Sequence, residues 1–383
     1  MKDFNPAYDC KKYLDEKIKN IPVGTHFGFI TDTHWEHHNQ KYSTKMMKYM
    51  LDNIGAKTVL FGGDFIELAP TRDIALEYAK KYFDEMYEAF GDNYIPVTGD
   101  HDINSTNIHT RPEEERAKFP IKHKELIEIS YAHLKGAVFM DWDKEIKKVA
   151  TGEDVEDLKA YLNTNYYVDR NDEKIRYIVL QTGEWNNGVC AKCIDGTYGY
   201  PELYLGMPLL YKALKTLPEG YTAVVAGHNF FRFVPMNEYS LEIAKMLYAR
   251  KHCLKISMQN NTGWDMSPFF PNGEVEFDFT DCKPAKVICL CGNAHRDNIA
   301  LNYLEDGEMI SVEYDEDLAK EKGAVMFVMT QRDTYVICPS KGSSWEMKPD
   351  TISEQCFDIV TLTDDNYAVF TRIGAGFDRK VIL

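Results

Sequence analysis

The chain has 383 residues, 44% of them hydrophobic and 27% charged, enough to bury a sizeable core as one large domain or a domain with an appendage. Its 60 acidic against 44 basic residues leave a formal charge of −16, which argues against a broad electrostatic grip on nucleic acid or an anionic membrane but leaves room for a small phosphate ester. Residues 1–19 are charged and hold no apolar signal core, no window reaches the length of a membrane span, and nine scattered cysteines fit reduced thiols, so a cytoplasmic protein is expected.

Residues 7–20 predict an amphipathic helix ahead of a first strand, Phe27-Gly28-Phe29-Ile30, which runs into Asp32-Thr33-His34. A polar stretch with His37 and His38 follows, then a helical pattern over 43–54 that sets Met46, Met47, Met50 and Leu51 on one face, read as core packing. The apolar run Val59-Leu60-Phe61 stops at Gly62-Gly63 and presents Asp64, with Glu67 three residues on; a helix over 72–90 and a strand over 94–98 lead to Gly99-Asp100-His101-Asp102. The opening is therefore a run of βαβ units.

Beyond it, Pro112 to Leu134 reads as a charged helix whose first turn holds Glu113, Glu114 and Glu115. A hairpin is expected from strands at 165–168 and 175–180 about a turn at 169–173. A glycine-containing loop over 186–200 with a lone Cys190/Cys193 pair, taken as incidental, precedes a helix over 201–215. The strand Ala223-Val224-Val225-Ala226 then runs into Gly227-His228. A helix near 238–252 and an aromatic loop over 261–279 separate it from Val287-Ile288-Cys289-Leu290-Cys291, which runs into Gly292-Asn293-Ala294-His295. Trp185 and Trp264-Asp265 fall in the loops that would rim a site. Residues 308–383 read as a closing β region, with strands at 324–329, 335–337, 357–361, 368–372 and 381–383. With no internal repeat or linker composition, residues 1–383 are expected to form one domain with insertions at about 103–163 and 229–286.

Five apolar strands thus end in short clusters of acids, imidazoles and one amide. Sites in open α/β sheets form outside the carboxyl ends of strands, so the five could converge on one crevice. Their donors, hard oxygens and borderline nitrogens, suit one or two divalent cations. Asp32 and His34 sit at i and i+2, on one side of an extended segment, and Asp64 is the expected bridging carboxylate of a two-cation site for phosphoester chemistry.

The five clusters in this order resemble the calcineurin-like metallophosphoesterase pattern D-x-H, G-D-x-x-D, G-N-H-D/E, a lone H after a strand, and G-H-x-H. Here they are Asp32/His34, Gly63-Asp64 with Glu67, Gly99-Asp100-His101-Asp102, Gly227-His228 and Gly292-Asn293-Ala294-His295. The closing run Thr371-Arg372 to Gly376 and Arg379 looks like the end of phosphoesterases from Gram-positive bacteria and their phages. The resemblance implies a four-layer α/β/β/α sandwich of two mixed sheets with a dimetal site at the strand ends. Asp32, His34, Asp64 and His295 would hold the first metal, and Asp64, Asp100, His228 and Asn293 the second. His101 would be the general acid, and Asp102 would orient its imidazole and raise its basicity. Hydrolysis of a small-molecule or nucleotide-like phosphoester by a metal-bound hydroxide would follow, with diesters favoured over monoesters because His101 is retained.

The pattern is altered where the family has asparagine and this chain Asp100, and where the family has histidine and this chain Asn293. The changes keep the number of donors, add a negative charge and make the second site richer in oxygen, which favours Mn²⁺, Mg²⁺ or Fe²⁺ over Zn²⁺. The same changes support a rival, a binding or structural protein of phage type that retains one metal; a second rival keeps catalysis as a nuclease, against which the acidic balance counts.

Overall fold

The computed structural model describes residues 9–37, 40–104, 118–140, 155–182, 202–231, 233–236, 238–259, 274–333, 347–348 and 350–383. A helix, Cys10–Lys19, precedes β1 (Thr25–Ile30). The helix Gln40–Ile54 then returns the chain to β2 (Val59–Phe61), and the helix Arg72–Phe90 returns it to β3 (Tyr94–Ile95). Two shorter helices, His123–Ser130 and Val155–Leu162, lead to the hairpin of β4 (Tyr166–Arg170) and β5 (Ile175–Val179). The helix Glu202–Lys215 precedes β6 (Thr222–Ala226), and the helix Glu238–His252 precedes β7 (Lys255–Gln259) and β8 (Glu274–Asp278). After β9 (Lys286–Cys291), β10 (Asn298–Glu305) and β11 (Glu308–Glu313), a helix Glu316–Lys322 leads to β12 (Val325–Met329). Strands β13 (Cys356–Leu362), β14 (Tyr367–Gly374) and β15 (Arg379–Ile382) close the chain.

The strands form two mixed sheets and a separate ladder of β7 with β8. The first sheet has the order β15-β14-β13-β1-β2-β3, with β1, β2 and β3 parallel and β13 antiparallel to β1. The second has the order β11-β10-β12-β9-β6-β5-β4, with β5, β6, β9 and β12 parallel. Side chains alternate faces along each strand, and the alternation builds three apolar layers. Phe29, Leu60 and Val360 of the first sheet meet Val224, Ile288 and Val328 of the second in one shared core. Phe61 and Ile359 face outward onto Met46, Met47 and Tyr82 of the flanking helices, so the methionine face is core. On the far side, Val225, Cys289 and Phe327 pack under Leu210 and Leu247. The result is the four-layer α/β/β/α sandwich, with β1, β2, β3, β6, β9 and β12 delivering their carboxyl ends to one edge.

Several elements differ from their sequence expectation. The helix expected over 112–134 is found, among its described residues, only at His123–Ser130. Pro120 has no N–H and keeps Phe119 out of the helical region, and Ile121 donates instead to the Ile103 carbonyl at 2.8 Å. Pro96 likewise ends β3 after two residues. The loop expected over 261–279 contains β8, whose alternating Glu274-Val-Glu-Phe-Asp278 pairs with β7. The closing β region divides: β11 and β12 join the second sheet, while β13, β14 and β15 complete the first. The readings at His38, residues 113–115, Trp185, the 186–200 loop with Cys190 and Cys193, Trp264-Asp265 and the strand at 335–337 lie outside the described residues. Among the described residues, no helix is long and apolar enough to cross a membrane.

Candidate metal centre

The loops that follow β1, β2, β3, β6 and β9 are tied to one another by backbone hydrogen bonds. Asp32 N–H donates to the Gly63 carbonyl at 2.9 Å and His34 N–H to the Asp64 carbonyl at 3.2 Å, so β1 and β2 continue their contact into the ligand loops. The Asn293 N–H, from the other sheet, donates to both oxygens of Asp32 at 3.1 and 3.0 Å. His101 N–H donates to Asp64 Oδ1 at 3.0 Å.

Five of the residues expected as ligands have left-handed backbones: Asp32, His34, Asp64, Asn293 and His295, with φ of 51°, 39°, 60°, 70° and 54°. Such a conformation costs a non-glycine residue about 1–2 kcal/mol, so five at one edge mark a place where convergence of side chains is bought with backbone strain. Close approach needs glycine at two further points. A Cβ on Gly63, itself at φ 94°, would lie 2.7 Å from His228 Nδ1, and one on Gly99 would overlap the Asp64 carboxylate.

Three groups of donor atoms result, each within 4.8 Å: Asp32, His34 and His295; Asp32, Asp64 and His228; and Asp64, Asp100 and His101. Asp32 links the first two and Asp64 the last two. Six of the seven residues expected as ligands therefore lie in one chain of clusters, and Asn293 joins it through its N–H to Asp32.

His228 decides whether cations fit. Its Nδ1 donates to the Gly62 carbonyl at 2.7 Å, so in the neutral ring the lone pair is on Nε2. That atom is fully buried and 3.0 Å from both Asp64 Oδ2 and Asp100 Oδ1. A lone pair set against two carboxylates is repulsive unless a cation or a proton stands among them. Burial pulls the His228 pKa down, and the charges of Asp64 and Asp32 more than reverse it and hold it well above the usual value. His34 Nε2 and His295 Nε2 are 3.4 Å apart, with Asp32 Oδ1 3.2 Å from the latter, close enough for the three side chains to share one ion. Burial keeps His34 neutral, with its pKa lowered to about 4, the form a metal requires. The donor set fits two divalent cations.

Similarity to known proteins is distant. The chain matches no protein-family model and no curated protein. Among solved structures it is similar to a dimetal phosphatase from Danio rerio, with 8% identity, a TM-score of 0.45 and coverage of 94% of this chain and 99% of that one. It is also similar to the protein TT1561 of Thermus thermophilus, with 8% identity, a TM-score of 0.33 and coverage of 76% and 89%.

The role expected for Asp102 is corrected. Its carboxylate accepts the backbone N–H groups of Phe65 at 2.7 Å, Gly99 at 2.7 Å and Asp64 at 3.2 Å, whereas His101 Nδ1 is bonded to the Glu67 carbonyl at 2.6 Å. Asp102 joins the β2 and β3 loops, and burial, reinforced by Asp64, raises its pKa to about 8. Glu67 serves His101 through its main chain, with its residue exposed.

Sequence reasoning missed a sixth strand end. After β12 come Thr330-Gln331-Arg332-Asp333, all buried, and Arg332 Nη1 lies 3.2 Å from His295 Nδ1. The signature was the same, an apolar strand running into a polar cluster, but it contains no paired Asp and His to mark it as ligating.

Proposed function

We propose that this protein is a metal-dependent phosphoester hydrolase with a dinuclear centre, acting on a small-molecule or nucleotide-like phosphodiester in preference to a monoester. The observation that carries the reading is the chain of three donor clusters joined by Asp32 and Asp64, a shared-carboxylate arrangement suited to paired cations. Asp32, His34 and His295 would hold one ion, and Asp64, Asp100 and His228 the other, with Asp32 in reach of both groups and Asn293 tied to Asp32. Such ions supply Lewis acidity toward a phosphoryl oxygen and lower the pKa of water.

The chain's own residues then bind, orient and protonate. His101 is placed by its Nδ1–H to Glu67, which leaves Nε2, 4.0 Å from Asp64 Oδ2, as the atom that faces the cluster. Burial lowers its pKa, but the charges of Asp64 and Asp100 and the Glu67 carbonyl raise it to about 9. His101 is thus protonated at neutral pH, and cations that neutralise those carboxylates would bring it toward the range of an efficient acid. From Nε2 it would protonate the departing alkoxide, and Arg332 would add a fixed positive charge beside the phosphoryl group. Mn²⁺, Mg²⁺ or Fe²⁺ are favoured over Zn²⁺ by the oxygen-rich second site.

The test is hydrolysis of bis-p-nitrophenyl phosphate and p-nitrophenyl phosphate by metal-stripped protein resupplied with Mn²⁺, Mg²⁺, Ni²⁺ or Zn²⁺. Turnover that needs both metal and Asp64, and is faster on the diester, supports the reading. Folded protein inactive with every metal favours the binding-protein alternative.

A further inference from the structure

The C-terminal run containing Arg372 and Arg379 takes no part in the chemistry above, yet it holds the most heavily bonded cation described. Arg372, 1% exposed, extends from β14. Its Nε donates to Asp358 Oδ1 at 2.8 Å, and its Nη1 and Nη2 fork onto the two oxygens of Asp297 at 3.0 and 2.7 Å. Arg379 of β15 donates to Asp297 Oδ1 at 2.9 Å, to the Met329 carbonyl at 2.8 Å and to Thr330 Oγ1 at 3.1 Å, and pairs with Asp358. Asp297 Oδ1 also accepts the Gln331 N–H at 3.1 Å.

Both arginines and Asp358 belong to the first sheet. Asp297, Met329 at the end of β12, and residues 330–331 belong to the edge by which the second sheet reaches the metal site. Asp297 lies two residues beyond His295, and Gln331 one residue before Arg332. We propose that Asp297, gripped by Arg372 and Arg379, is a positioning residue for the metal centre. It fixes the loop over 292–297 so that the Asn293 N–H meets Asp32 and His295 Nε2 faces Asp32 and His34.

Two considerations separate this from simple bracing. A buried ion network of this kind gains little net stability over an apolar replacement, because desolvation offsets its attraction, so its worth lies in geometry. In addition, Asn293 and His295 both hold left-handed backbones, which carry some strain even for residues tolerant of that region, and contacts from outside the loop help to hold them. The Asp297 carboxylate, with its planar fork to Arg372, is the anchor at one end of the loop.

This inference rests on the metal reading, and the experiment separates the two. Mn²⁺ would be titrated by calorimetry into metal-stripped full-length wild type, Asp297→Asn and Arg379→Gln, with folding checked by near-UV circular dichroism. Melting temperatures would be recorded with and without Mn²⁺. We expect folded Asp297→Asn to bind Mn²⁺ about 10–100-fold more weakly, the loss typical when the support of a ligand is removed. Its metal-induced rise in Tm should shrink. A network that only braces the fold would lower both melting temperatures equally, and binding within twofold of wild type overturns the proposal. Should Asp297→Asn fail to fold, Arg379→Gln carries the same test with about tenfold weakening expected, and unchanged affinity there overturns it equally. A wild type that binds no Mn²⁺ instead refutes the metal reading itself and takes this proposal with it.

Discussion

The Nδ1–H of His228 donates to the carbonyl of Gly62, and this bond aims the opposite nitrogen at Asp64 and Asp100. Because Gly62 lies two residues before Asp64, the strand that delivers the carboxylate also orients the imidazole. Asp64→Asn is expected to abolish metal-dependent turnover and to weaken Mn²⁺ binding at least 100-fold. His228→Ala should do the same. Calorimetry on metal-stripped protein checks both, and wild type should melt higher with Mn²⁺ than without, by mass action.

Gly99 is the second constraint on that carboxylate. A methyl group there would overlap Asp64 Oδ1 and Asp64 N, so Gly99→Ala must displace the loop or the ligand. The expected result is a Kd for Mn²⁺ raised more than tenfold. Alanine at the exposed Gly55, where a Cβ meets nothing within 4 Å but φ is 72°, should cost stability alone. Equal metal affinities in the two variants would contradict this.

Asp102 and His101 should separate in kinetics. His101→Ala is expected to retain metal and to lose rate chiefly on alkyl leaving groups, about 10²-fold or more, while p-nitrophenyl esters lose far less. Asp102→Ala strands three buried backbone N–H groups and should cost about 3 kcal/mol or more of stability, with loss on alkyl and aryl esters alike. A shared alkyl-selective profile would restore Asp102 as the partner of His101.

Lys251 gives a pH dependence remote from the centre. Its Nζ donates to the Ala324 carbonyl at 2.8 Å, and burial lowers its pKa from 10.5 to about 8. Between those values the unfolded chain binds the proton and the folded protein does not, so stability rises with pH. Below pH 8 the full penalty applies, about 3 kcal/mol, and it fades as pH climbs toward 10.5. Lys251→Met should therefore raise Tm at pH 7 and hardly change it at pH 10.5. A gain of equal size at both pH values would assign the effect to packing.

What could be read in advance followed from locality. Each of Asp32, Asp64, Asp100, His228 and His295 follows the end of an apolar strand within five residues, so the nearby residues declare both its element and its end of the sheet. Asp102 could not be read this way, because its partners include the amides of Asp64 and Phe65, brought near only by strand pairing. Adjacency in the chain suggested His101 in their place. Arg332 stood at a strand end like the others, but a lone cation there resembles any solvated loop residue until His295 is set against it. The errors over 112–134 and 261–279 had readable remedies, Pro120 in the first and the alternation of Glu274 to Asp278 in the second.

The pairing of β1 with β13 joins segments far apart in sequence: His26 and Thr361, 335 positions apart, are bonded across it. A ribosome must therefore pass residue 362 before the strand that presents Asp32 gains its second neighbour. Contacts of such long range slow folding, and a product halted before residue 356 would leave β1 as a bare edge, open to pairing with other chains. Synthesis of β13 is thereby a condition for completing the first sheet, and a copy that stops short of it would carry an open strand edge directly beside Asp32.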